Sequence, residues 1–110
     1  MIHGKKHWIF QRLLAVLILP LIIWFLFSIK INAFTDYQMF LEWIRNPLNS
    51  VLLIILLIFS SQHFQLGIQV VLEDYVSVES KRLLFIYIIN FLFSILCIFG
   101  ILAIILLNNI

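Results

Sequence analysis

Charge is scarce in this sequence: seven Lys and Arg plus five Asp and Glu among 110 residues, or 11%. Soluble domains carry about 25% charged and about 45–50% apolar residues. This chain is 65% hydrophobic, with a mean hydropathy of +1.18. Its few polar residues cannot cover a water-soluble globule, so the solvent to reason from is lipid. The net charge of +2 is small and dispersed, which argues against a nucleic-acid partner. One cysteine, Cys97, lies deep in an apolar stretch. It can form neither an internal disulfide nor a Cys-based metal site, and reads as a small packing hydrophobe. No dyad alternation of polar and apolar residues points to barrel strands. Glycine-rich phosphate loops, Cys/His clusters and hydrolytic triads are also missing, which argues against an enzyme acting alone. Few intramembrane charges and no repeated half argue against a channel or transporter.

What the sequence does have is three charge-free runs: 17 residues over 13–29, 27 over 46–72 and 28 over 83–110. About 20 mostly apolar residues cross a bilayer as a helix, with about 17 as the short limit. The expectation is an all-α integral membrane protein, one domain over 1–110, with transmembrane helices at about 13–31, 50–73 and 83–107. The first run is longer than a signal-peptide core and no small-x-small site follows it, so it reads as a retained span. Lys5, Lys6, Arg12, Lys81 and Arg82 flank one side, against Lys30 and Arg45 on the other. This bias puts the N-terminus inside and the C-terminus outside.

Between the first two spans, Thr35-Asp36-Tyr37-Gln38 reads as a capping box with Thr35 as the cap. Tyr37, Phe40, Leu41 and Ile44 then fall on one helical face, and Pro47 ends the pattern. The reading is a short outer helix, either lying in the interface with Trp43 near headgroup level or packed as an ordered connection on its neighbours. Pro20 should kink the first span. The inner loop, Glu73 to Arg82, is short enough to make spans two and three an antiparallel hairpin.

Polar groups inside spans are expensive in lipid, and they mark function. His63 lies about 18 Å along a helix from Val51 and about 13 Å from Leu72, in the inner half of the membrane. Gly67, Val70 and Asp74 follow it on the same face, and Gly67 would leave room for a flat ligand. From spacing alone three readings of His63 stay open: a structural histidine bonded to a neighbouring helix, an axial haem ligand, or a proton or quinone contact. Bis-histidine ligation would need a second chain, because His63 is the one intramembrane histidine. Asp74 and Tyr75 close the helix at the inner interface. Each reads either as a solvated carboxylate and a belt anchor or as part of a quinone site. Arg12 either snorkels to lipid phosphate or pairs with an anionic cofactor group.

Taken together, His7-Trp8-x-x-Gln11-Arg12-x-x-Ala15, Leu19-Pro20-Leu21, Asn46-Pro47-Leu48-Asn49 and His63-x-x-x-Gly67-x-Gln69-Val70-Val71-x-Glu73-Asp74-Tyr75 resemble the hydrophobic membrane anchor subunits of succinate dehydrogenase (respiratory complex II), in the alphaproteobacterial and mitochondrial-type branch. The last motif is the specific one. The resemblance implies a subunit of succinate:ubiquinone oxidoreductase, not catalytic on its own, with roles in electron transport and the tricarboxylic acid cycle. It implies His63 as an axial ligand of haem b, shared with a partner cytochrome b subunit, and Arg12 near the haem propionates. Tyr75 and Asp74 would bind ubiquinone. The flavoprotein and iron–sulfur subunits would dock on the inner face. The alternatives are the anchor of a fumarate reductase-type oxidoreductase and a haem-free structural or assembly protein. The chain starts at Met1 without an Arg- and Ser-rich transit segment, which suits a bacterial inner membrane or an organelle-encoded protein of the mitochondrial inner membrane.

Overall fold

The computed structural model describes residues 2–30 and 34–110, with side chains from residue 5 onward in the first helix. Four helices follow in order: α1 (Ile2–Lys30), α2 (Tyr37–Arg45), α3 (Pro47–Tyr75) and α4 (Glu79–Asn108). The three long ones meet the length and hydropathy of membrane spans. Helix is what lipid requires of them, because it satisfies every interior backbone group within its own segment. Their ends extend past the charge-free runs, so that the flanking charges lie within the helices, Arg12 about three turns into α1. Thus α1 starts ahead of Lys5 and Lys6, and Glu73–Tyr75 finish α3. Only Val76–Val78 separate α3 from α4. Pro20 lies inside α1, which continues through it on both sides; the ring costs the Val16 carbonyl its helical donor.

The middle helix α3 packs on both α1 and α4, while those two do not meet among the described residues. The result is a row about 50 Å long, close to the ~45 Å of a 30-residue helix. One core cluster joins α1 to α3 through Leu14, Ile18 and Leu56, with Leu21, Phe25, Leu53, Phe59 and Leu66 packed around it. On the other side, Gly100 of α4 lets Leu57 approach: a Cβ there would stand 3.0 Å from Leu57 Cδ1. Ser61 Oγ also donates across to the Phe93 carbonyl at 3.3 Å. Small residues at such contacts let membrane helices come close. Most of the remaining apolar side chains of the three long helices are exposed on the chain's outer surface.

The second helix closes one end of the row. Its N-cap is Asp36, whose carboxylate accepts from Gln38 N–H at 2.6 Å. The expected cap at Thr35 is therefore one residue out of register. Thr35 Oγ1 donates to Met39 Sδ at 3.4 Å, and Gln38 takes part through its backbone. Aspartate outranks threonine at this position, and Asp36 has the extended backbone a cap needs (φ −149°, ψ 157°). Leu41 and Ile44 bury against Ile104, with Leu53, Ile54, Leu57 and Leu107 around them, so the apolar face of α2 turns onto α3 and α4. Trp43 stacks on Trp24 of α1 with centroids 5.6 Å apart, and Phe25, Phe34 and Phe40 complete the ring cluster. Polar bonds finish the seal. Asn46 caps α3 with Pro47 in its first turn, and Asn108 Nδ2 donates to Ser50 Oγ at 3.0 Å. Arg45 donates to the Leu107 carbonyl, left without a helical partner in the last turn of α4, and to the Ile110 oxygen just past the helix.

Candidate functional site

His63 lies on α3 beside α1 and lines cavities that both helices share. Sixteen residues of α3 precede it and twelve follow, about 24 Å and 18 Å of helix. A cavity of about 290 Å³ is lined by His63 together with Trp8, Gln11, Arg12 and Ala15 of α1. A second cavity, about 230 Å³, continues from Ala15 and His63 along Ile18, Leu19, Ile22, Ser60 and Phe64. A third, about 200 Å³, shares Ser60 and Phe64 and crosses to Phe93, Leu96 and Cys97 of α4. Shared lining residues set the three side by side as one interrupted groove across the row. One end is polar, carrying a guanidinium and an amide; the rest is apolar.

The α1 wall of this groove follows from helical spacing. Trp8, Gln11, Arg12, Ala15, Leu19 and Ile22 recur every three or four residues, so they share one side of the helix. The Arg12 guanidinium sits over the Trp8 ring, 5.1 Å from its centroid, a cation–π contact that limits where the charge can go. Gly67, one turn beyond His63, does not leave open space for a ligand. A Cβ at that position would meet Gln11 Nε2 at 3.3 Å, so the missing side chain admits α1 instead.

The imidazole of His63 is half-buried, and its Nδ1 is buried with no hydrogen-bond partner. An unpartnered buried nitrogen is costly in a low-dielectric interior. The reading of His63 as a histidine bonded to a neighbouring helix therefore finds no bond at that atom. An axial ligand in a groove with apolar walls and one cationic end fits haem, whose planar macrocycle is apolar and whose propionates are anionic. His63 is the one residue here that would offer such a group a nitrogen ligand, and among the described residues no group of three or more His, Cys, Asp or Glu gathers. The second axial position would need another chain.

Asp74 and Tyr75 end α3, 11 and 12 residues past His63, or about 17–18 Å farther along the helix. Both are exposed, Tyr75 at 85%, and neither lines the His63 groove. The structure thus unites Arg12 with His63 and leaves Asp74 and Tyr75 as a separate surface at the helix end. Sequence reasoning gave Trp8, Gln11, Ser60 and Phe64 no role in the site. The stripe from Trp8 to Ile22 was the available signal for the first two.

Comparison with known proteins gives a consistent picture. Residues 2–97 match the family described as succinate dehydrogenase/fumarate reductase transmembrane subunit. The chain is similar to the succinate dehydrogenase hydrophobic membrane anchor subunit of Rickettsia bellii, 36% identical over 95 residues, covering 86% of this chain and 75% of the relative. It is also similar to the succinate dehydrogenase membrane anchor subunit of Reclinomonas americana, 35% identical over 91 residues, covering 79% and 75%. The Rickettsia prowazekii anchor subunit is 33% identical over 95 residues, covering 86% and 75%. No solved structure matches the chain significantly.

Proposed function

The chain belongs to the succinate dehydrogenase/fumarate reductase transmembrane subunit family, and from that premise we propose that it shares one haem b with a partner cytochrome b subunit and contributes to the ubiquinone-reduction site of complex II. It is a membrane anchor subunit of an oxidoreductase complex, and its relatives place it in a bacterial or mitochondrial inner membrane. The observation that carries the finer reading is the His63 groove, with its buried unpartnered Nδ1 and the Arg12 guanidinium at its polar end.

When bound, haem b supplies a one-electron redox centre. His63 would be one ligand of its iron, and the partner cytochrome b subunit would supply another. Arg12, steadied on Trp8, would neutralise the propionates at the polar end. Ala15, Ile18, Leu19, Ile22 and Phe64 would enclose the apolar edge and exclude water. At the end of α3, quinone reduction takes up two electrons and two protons. Tyr75 would donate its phenolic O–H to a quinone carbonyl oxygen, and Asp74 would pass protons from water to the same region. Both are exposed in this chain, which leaves them free for a site that the iron–sulfur and cytochrome b subunits would complete. The charge bias supports placing this end inside, where the soluble subunits dock.

Tyr75→Phe tests the quinone role. Succinate oxidation by a soluble acceptor should survive, while quinone reductase activity falls by about tenfold, the scale of one lost hydrogen bond to the reacting group. Equal loss of both activities would contradict the assignment and show an assembly defect.

A further inference from the structure

A separate cavity of about 450 Å³ opens where the end of α3 meets the start of α4, lined by Gln69, Glu73, Arg82, Leu83, Ile86 and Tyr87. It shares no lining residue with the His63 groove. At 3.6 residues per turn, the Gln69 and Glu73 edge lies about 180° around α3 from Ser60 and Phe64. The cavity therefore belongs to the opposite face of the row, and neither the haem nor the quinone assignment uses it.

Its chemistry is mixed in a specific way. Glu73 and Arg82 bring opposite charges to one cavity, and each already has one hydrogen-bond partner. Gln69 Nε2 donates to Glu73 Oε1 at 3.2 Å, and Arg82 Nη1 donates to the Val76 carbonyl at 3.3 Å. One N–H of the guanidinium is thus committed, and its remaining donors suit a phosphate. The second carboxylate oxygen of Glu73 suits an ammonium. Leu83 and Ile86 give the floor an apolar strip running along α4 into the span, and the Tyr87 ring, 70% exposed, stands beside them. Glu73 and Arg82 also bound the charge-free runs of α3 and α4, which sets them at headgroup depth.

An anion site, a cation site and an apolar strip at headgroup depth match a single molecule with a phosphate, an ammonium and acyl chains. A primary ammonium can donate hydrogen bonds to Glu73. A quaternary one cannot, and an anionic headgroup would meet the carboxylate unfavourably. We propose that this cavity binds phosphatidylethanolamine, its phosphate on Arg82, its ammonium on Glu73 and an acyl chain along Leu83 and Ile86.

The test is native mass spectrometry of the delipidated complex, titrated separately with phosphatidylethanolamine, phosphatidylcholine and phosphatidylglycerol. The wild type should bind phosphatidylethanolamine about fivefold more tightly than phosphatidylcholine, the scale of one hydrogen bond that the quaternary headgroup cannot donate. Glu73→Gln should bring that ratio close to one while all subunits stay assembled. Arg82→Gln should weaken both lipids. Because Arg82 also holds the Val76 carbonyl, Glu73→Gln decides the matter if the arginine variant does not assemble. A phosphatidylethanolamine-to-phosphatidylcholine ratio unchanged by Glu73→Gln would overturn the proposal, as would tighter binding of phosphatidylglycerol. A photoactivatable phosphatidylethanolamine should label residues between Gln69 and Tyr87 in the intact complex. Absence of label there would mean that a partner subunit covers the cavity, and would overturn it too.

Discussion

Gly67 is where the packing of α1 on α3 can be set against the groove it creates. Replacing it with alanine adds a Cβ 3.3 Å from Gln11 Nε2, close but facing the free end of a flexible side chain. A shift of a few tenths of an ångström relieves it. Alanine also gains about 1 kcal/mol over glycine in a helix. The two effects roughly cancel, and Gly67→Ala should leave complex stability within about 1 kcal/mol of wild type. Leucine adds three more carbons in the space that Gln11 fills. It must move Gln11 or push α1 away, at about 1–3 kcal/mol. Either movement reshapes the wall that carries Trp8 and Arg12, one turn from His63. Thermal dissociation of the detergent-solubilised complex, read beside its visible haem spectrum, separates the two variants. Gly67→Leu should lower the dissociation temperature and diminish the haem band, whereas Gly67→Ala should do neither. A leucine variant with wild-type stability and spectrum would refute the close approach of α1 to α3 at this level.

Two further outcomes test the closed end of the row. Asp36→Ala should destabilise by about 1 kcal/mol, and Thr35→Ala by less, in thermal melts of the complex; the opposite order would restore Thr35 as the cap. Ile44 is only 1% exposed, so Ile44→Ala should cost about 2–5 kcal/mol and loosen α2 from α3 and α4, which limited proteolysis at the α2 segment would report. Unchanged proteolysis would contradict the packing of α2.

The three spans were legible because each helix in lipid must be long and apolar, but α1 runs past Arg12 back to Ile2, because a charge near the interface does not end a helix. His63 stood out for the same reason, as an ionisable group where one is costly. The cap of α2 was not legible to the residue, because Thr35 and Asp36 are both competent caps and only the local backbone chooses between them. Trp8 and Gln11 were missed for a different reason. They precede the charge-free run, and spans apolar all round give little moment from which to tell which face meets a neighbour. The space at Gly67 was misjudged accordingly: the sequence shows that a side chain is absent, while the pairing of α1 with α3 decides what fills the gap. Asp74 and Tyr75 are recognisable as a motif, but both stand exposed at the end of α3, and no cavity of this chain gathers around them among the described residues.

The most direct test of the account is a reduced-minus-oxidised visible spectrum of the purified complex, wild type beside His63→Ala. The account predicts a b-type α-band in the wild type that is lost or shifted in the variant, with the other subunits still present. A wild type without the band but with quinone reduction intact, or a variant with the band unchanged, would contradict it and return His63 to another role.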